Sequence, residues 1–249
     1  MKNCFSNATV LWNEREILRR ESLVREIPAL LLDTWRGLNP AVQMERTETP
    51  ILTPAEQLSG HIAAKFDLID AGRRGYLRPE TTAGTFEAMR LRFEQEAQMK
   101  KRLPFCMWQV GLSFRDEENP DTMRSSKLRL VQFYQMEFQL FASHGSKAPY
   151  IETALAELTR VYGGKAVDAD ELPHYSERTI DWHIGDLEVA GCSVRKDWPH
   201  GVVFEVAIGL DRLVALQMAN AKAVGLDAAG GQSNTSDGLC VAVDTEKET

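Results

Sequence analysis

The chain has 249 residues, is 43% hydrophobic and carries a formal charge of −7. That is enough apolar material for one sizeable core, and the balance is too acidic for a protein that holds nucleic acid by bulk electrostatics. Its four cysteines, Cys4, Cys106, Cys192 and Cys240, show neither CxxC pairing nor a histidine spacing suited to zinc, and no run of about 18 apolar residues or signal-peptide core is present, so a reducing, cytoplasmic setting is expected.

Glu14 to Trp35 reads as a helix, with Ile17, Leu18, Val24, Ile27, Leu30 and Leu31 near helical spacing; Pro28 should bend or divide it, and Gly37 and Pro40 should end it. Val42 to Pro54 is Thr-rich and punctuated by proline, which suits an edge strand. The pair could form a dimer contact, although an ordinary surface helix satisfies the same pattern. A second helix is expected from Thr85 to Arg102, with Phe86, Met89, Phe93 and Ala97 on one side, packed behind the sheet.

Strand alternation follows. From Phe105 to Glu117 the even positions Cys106, Trp108, Val110, Leu112 and Phe114 are apolar, while Gln109, Gly111, Ser113, Arg115 and Glu117 hold the odd ones. From Leu128 to Phe141 the even set is largely apolar again and the odd set includes Arg129, Phe133, Gln135, Glu137 and Gln139. Pro149 to Tyr162 reads as a third helix stopped by Gly163 and Gly164, and a strand is expected from Ile184 to Val194. Val202 to Gly209 is a weaker alternation with Glu205 and Ala207 on the polar side, followed by a helix over Leu210 to Val224. Residues 1–225 are expected to form one domain and 226–249 a flexible tail.

If the alternating stretches are neighbouring strands, one sheet face is core and the other a charged floor. An outward Phe133 beside arginines offers a flat surface for a purine. Arg115 and Arg212 can clamp phosphate oxygens with forked, charge-assisted bonds. The bland alternative is that these charges only stabilise the sheet. His61, His144, His174, His183 and His200 are not candidates for catalysis.

The residues FRDE at 114–117 and IGLDR at 208–212 resemble the second and third signature motifs of class II aminoacyl-tRNA synthetases. SGHI at 59–62, YLRPETTAG at 76–84, LPFCMWQVGLSFRDE at 103–117, RLVQFYQMEF at 129–138, EVAG at 188–191 and FEVAIGLDR at 204–212 follow the order of similar blocks in the glycyl-tRNA synthetase family. The resemblance runs from about 42 to 224 and implies an α+β fold, an antiparallel β-sheet flanked by α-helices. It also implies roles. Arg115 would hold the α-phosphate of ATP and the substrate carboxylate, Glu117 would read the adenine amino group, and Phe133 would stack on adenine, with Arg129 at the nucleotide. Arg212 would take the γ-phosphate. Glu188 and Glu205 would lie near Mg²⁺ and the amino-acid end, and Glu80 and Glu137 would receive the substrate ammonium, close to Ala207.

The family's EPSxGxxR reads EVAIGLDR here, so Ala207 stands where the family has serine and Val206 where it has proline. In the family's REFTQAEIE run, Val131, Gln132 and Gln139 replace charged residues. Glycine is therefore the leading substrate, with alanine or a β-amino acid as alternatives. No anticodon-binding domain is expected after the last helix, and tRNA contact would fall to Arg124, Lys127 and the Lys100 to Arg102 cluster. Three readings follow: adenylation with tRNA or a tRNA-like end as acceptor, adenylation with a carrier protein or small molecule as acceptor, and a non-catalytic accessory subunit. A homodimer is expected, because the first helix and the Thr47 to Ile51 edge resemble the family's first motif.

Overall fold

The computed structural model describes residues 14–58, 68–116 and 128–223. Nine strands and four α-helices are described: α1 (Glu14–Leu38), β1 (Gln43–Arg46), β2 (Leu52–Thr53), β3 (Tyr76–Leu77), α2 (Thr82–Gln95), β4 (Phe105–Phe114), β5 (Gln132–Ala142), α3 (Tyr150–Tyr162), β6 (Lys165–Asp168), β7 (Ser176–Ile184), β8 (Leu187–Arg195), β9 (Val202–Gly209) and α4 (Leu210–Ala223). Seven strands form one sheet in the order β1-β4-β5-β9-β8-β7-β6. β1 runs parallel to β4 and every other pairing in this sheet is antiparallel. This is the α+β, class II synthetase-like arrangement that the motifs imply.

The even-numbered face of β4, β5 and β9 is covered by α1, α3 and α4. Met136, Phe138, Leu140, Val206 and Ile208 pack there against Leu23, Ile27, Leu31 and Trp35 of α1, Ile151, Leu155 and Leu158 of α3, and Leu213 and Val214 of α4. Trp35 lies flat on Phe138 with ring centroids 4.4 Å apart. This anchorage explains why α1 continues through Pro28 rather than dividing there: the buried residues on both sides of the proline hold the two halves to one surface, which outweighs the lost backbone hydrogen bond.

The opposite face is closed at one end only. Phe105, Met107, Phe141 and Val203 meet Met89 of α2, Met99 and Trp198 in a second, smaller core. α2 therefore lies over the polar face and not behind the sheet as its pattern suggested. An amphipathic stripe specifies that a helix has a buried side, not which face of a sheet receives it. The helix also ends at Gln95, and a separate 3₁₀ turn, Met99–Arg102, places Met99 in that core.

Other boundaries differ as well. β5 begins at Gln132, so Arg129 lies on the segment leading into the strand and not on it. Leu128 there adopts a φ of 43°, and Leu128 and Leu130 are both buried, so packing sets the segment until Val131, whose carbonyl accepts the Arg115 N–H at 2.9 Å. β6 and β7 were not anticipated, and the strand expected from Ile184 begins at Leu187 after a turn at Gly185. The expected edge strand is confined to β1, since Leu52–Thr53 pairs with β3 in a separate ribbon.

Candidate active site

The half of the polar face that α2 leaves open is a cavity of about 420 Å³. Strand register determines what lines it. One row across the sheet runs Gln109, Glu137, Ala207, Gly191, Asp181, and the next runs Gln139, Glu205, Ser193, Thr179. Along β5, Phe133, Gln135, Glu137 and Gln139 point the same way, and at about 3.3 Å per residue Phe133 and Glu137 stand roughly 13 Å apart. An aromatic end and an acidic end are thus separated along one strand.

At the aromatic end the Arg115 guanidinium lies over the Phe133 ring, 5.0 Å from its centroid, and Arg115 Nε donates to the Pro79 carbonyl at 3.3 Å. Arg212, in the first turn of α4, donates from Nη1 to the Glu188 carbonyl at 2.6 Å and lies 3.8 Å from Glu188 Oε1. Its neighbour Asp211 fixes the start of that helix: Oδ2 accepts the Tyr134 backbone N–H and Oδ1 accepts Arg20 Nε, each at 2.6 Å. β5, α1 and α4 are tied together at this point.

At the acidic end two carboxylates stand side by side in different states of engagement. Arg195, only 3% exposed, donates from Nη1 to both oxygens of Glu205, at 3.2 and 3.0 Å, and its other face forks onto Asp197 at 2.7 and 3.1 Å. Its guanidinium lies 4.1 Å from the Tyr175 ring centroid and 4.8 Å from that of Phe86. Burial works against this charge, but Glu205 and Asp197 outweigh it and raise the pKa of Arg195 above its ordinary value.

Glu137 is held through one oxygen. The Thr81 hydroxyl donates to Oε2, Thr82 Oγ1 is 3.2 Å from Oε2, and Gln139 Nε2 donates to it at 3.0 Å. Thr82 Oγ1 and Gln139 Nε2 also reach Glu205 Oε2, at 3.1 and 3.3 Å. Burial pushes the Glu137 carboxyl up to about 8, with the charges of Glu205 and Glu80 adding to it and the Thr81 and Gln139 bonds opposing it.

Glu80 reaches this cavity through a buried anchor. Arg78 is 6% exposed, donates to the Leu112 and Thr49 carbonyls at 2.7 Å each, and crosses β4 at Gly111, where an added Cβ would stand 2.2 Å from its Nη2. Only glycine admits that crossing.

Of the residues singled out from the sequence, Glu80, Arg115, Arg129, Phe133, Glu137, Glu188, Glu205, Ala207 and Arg212 all line the one cavity. Glu117, Arg124, Lys127 and the SGHI block lie outside the described residues. Arg102 is paired with Glu96 at 2.9 Å. Sequence reasoning did not single out Arg195, Thr82, Tyr175 or Asp181. Arg195 does share the odd parity of Gly191 and Ser193, which was its available signal. Among the described residues no histidine or cysteine lines the cavity, and burial pushes the thiols of Cys106 and Cys192 well above the usual range.

No protein-family profile matches the chain. Curated relatives do. The glycine–tRNA ligase of Deinococcus radiodurans is 30% identical over 142 residues, 51% of this chain and 27% of that protein. The glycine–tRNA ligase of Staphylococcus saprophyticus is 34% identical over 146 residues, 52% of this chain and 30% of that protein. That of Mesoplasma florum is 32% identical over 126 residues. The chain carries a class II, glycyl-tRNA synthetase-like region. It aligns with less than a third of the length of these relatives. The synthetase-like region departs from the motif pattern at the acidic end of its cavity, where Ala207 contributes only a methyl group and Gln139 only an amide.

Proposed function

We propose that this region activates a small amino acid, glycine first among them, by reaction with ATP to give an aminoacyl-adenylate, and then passes the acyl group to tRNA or a tRNA-like end. The observation that carries the reading is the polarity of a single cavity, with Phe133, Arg115 and Arg212 at one end and Glu80 and Glu137 at the other. Adenine would rest on Phe133 in the place the Arg115 guanidinium now covers, near Arg129. The amino-acid carboxylate then attacks the α-phosphorus in line: its oxygen forms the new P–O bond as the bond to the bridging oxygen breaks, and pyrophosphate leaves with that electron pair.

Little covalent work falls to the protein. Arg115 neutralises charge on the α-phosphate and the attacking carboxylate, Arg212 holds the far end of the triphosphate, and Glu80 and Glu137 fix the ammonium, so positioning and charge complementarity supply the rate. Mg²⁺ normally accompanies ATP and takes oxygen ligands from phosphate and water plus one or two carboxylates. Glu188, about half exposed beside Arg212, fits that demand. Glu205, forked by Arg195, fits it less well, and no group of three ligating side chains that could hold a metal occurs among the described residues. When bound, the ion would neutralise the leaving pyrophosphate.

Transfer to a non-tRNA acceptor, such as a carrier protein or small molecule, is the second reading, and the net charge of −7 favours it because tRNA contact is largely electrostatic. We place the protein in the cytoplasm as a homodimer paired through α1 and the Thr47 to Ile51 edge; no described helix is long and apolar enough to cross a membrane. Pyrophosphate exchange with each amino acid, run beside aminoacylation of total tRNA, tests the proposal. Exchange with charging supports tRNA as acceptor, exchange without charging supports the second reading, and neither reaction leaves a non-catalytic subunit.

A further inference from the structure

Asp211 stands at the aromatic end of the cavity, yet it is only 1% exposed and both of its oxygens are taken, one by the Tyr134 N–H and one by Arg20 Nε, each at 2.6 Å. The places of its two neighbours give these bonds their meaning. The Tyr134 N–H belongs to the peptide that follows Phe133, so Asp211 grips the backbone directly after the aromatic shelf. Arg212, at the other side of the same end, follows Asp211 in the chain. The ladder between β5 and β9 ends at Gln135 opposite Gly209, and α4 begins at Leu210. Beyond that pair β9 has left the sheet, and the Asp211 carboxylate takes its place as the partner of β5. The Arg212 stem leans back over Gly209, where an added Cβ would stand 3.4 Å from its Cδ.

We propose that Asp211, held by Arg20, is a positioning residue that sets the spacing between the Phe133 shelf and the Arg212 clamp, and so favours a ligand that spans both. ATP as that ligand rests on the adenylation reading; the geometry of Arg20, Asp211 and Tyr134 does not. The main core already holds α4 through Leu213 and Val214, but apolar packing is non-directional. Two short bonds to one buried carboxylate supply the direction that packing lacks. A buried ion pair is weak evidence for stability, and its best-attested use is to specify one arrangement.

Arg20 brings α1 into this device. Among the described residues α1 lines none of the cavity, yet the Arg20 guanidinium bonds Asp211 and lies 5.2 Å from the Tyr134 ring centroid. Its side chain is 17% exposed against 2% for Asp211, so the arginine can be changed with less damage to the interior than the aspartate. Without its charge the carboxylate would be buried and uncompensated, and the start of α4 would shift to relieve it. A shift of about 1 Å between two contact groups can cost a hundredfold in a ligand that needs both. A ligand that touches only one of them does not sense the spacing.

That difference separates positioning from a purely structural role. The full chain is prepared as wild type, Arg20→Met and Arg20→Lys, and the dissociation constants of ATP, AMP and inorganic pyrophosphate are measured for each by ligand-detected NMR titration with magnesium present. AMP tests the Phe133 and Arg115 end alone and pyrophosphate tests Arg212 alone. In Arg20→Met the affinity for ATP should fall by about tenfold or more, while those for AMP and pyrophosphate change little. An unchanged ATP affinity, or equal losses for all three ligands, would overturn the proposal. Should Arg20→Met fail to fold, Arg20→Lys decides, because it keeps the charge but replaces the guanidinium with a single ammonium: a several-fold loss confined to ATP supports the role, and no loss overturns it. If wild type itself does not bind ATP, the adenylation reading falls and this inference with it, whereas wild-type binding that Arg20→Met retains in full removes the inference alone.

Discussion

Glu137→Gln should make the protein more stable at alkaline pH while removing its affinity for an amine substrate. In the folded chain Glu137 keeps its proton to about 8, against an ordinary value of 4.5, because it is buried beside Glu205 and Glu80. Between those values the folded state binds a proton that the unfolded state has released, so stability is full below about 4.5 and declines as pH rises towards about 8. At about 1.4 kcal/mol per pH unit, the window sets a ceiling of about 5 kcal/mol, and relaxation of the site should reduce it to a few. Glutamine has the same shape, can accept the Thr81, Thr82 and Gln139 donors through its oxygen, and carries no charge. Urea denaturation of wild type and variant at about pH 5 and about pH 9 reads the effect. With a slope near 3 kcal/mol per M for a chain of this size, the wild-type midpoint should fall by about 1 M or more over that range, and the variant should lose most of this decline. Equal declines in the two proteins would refute the assignment of a protonated Glu137.

Arg212→Ala should lower the rate of pyrophosphate exchange by about a hundredfold or more, as expected for the loss of one preorganised charge from a phosphate site, with little change in urea midpoint because the side chain is partly exposed. Phe133→Ala should raise the KM for ATP by about 5- to 150-fold, the equivalent of about 1–3 kcal/mol of lost base stacking. Ala207→Ser, which restores the hydroxyl of the family pattern, should lower the KM for glycine several-fold if that position faces the ammonium; competition between glycine and alanine in exchange measures it. Trp35→Ala should cost about 3–5 kcal/mol of stability, read by thermal or urea unfolding, because its ring lies flat on Phe138 in the main core.

The polar floor was legible because period-two alternation is a direct consequence of strand geometry. Phe133, Glu137, Ala207 and Glu205 could be placed on one face without coordinates, and they line one cavity. Glu80 lies outside any strand and was reachable only through the PETTAG resemblance. Arg195 was not singled out because its partner Glu205 is ten residues away on the next strand, and which residues meet across β8 and β9 depends on register that local pattern does not specify. β7 escaped notice because Glu177, Arg178, Asp181 and His183 break up its apolar residues, Ile180 and Trp182 being the only fully buried hydrophobics within it. The side of the sheet occupied by α2 was misjudged for a related reason. Its small buried set, Thr82, Thr85 and Met89, serves the hydrogen-bond network under Glu137 as much as it serves a core.

A crystal structure of the chain with a non-hydrolysable analogue of glycyl-adenylate tests the central claim most directly. The account predicts the adenine ring on Phe133, the phosphate-like group against Arg115, and the glycyl amine within hydrogen-bond distance of Glu80 or Glu137. An analogue bound elsewhere, or seated with its amine away from these carboxylates, would contradict it.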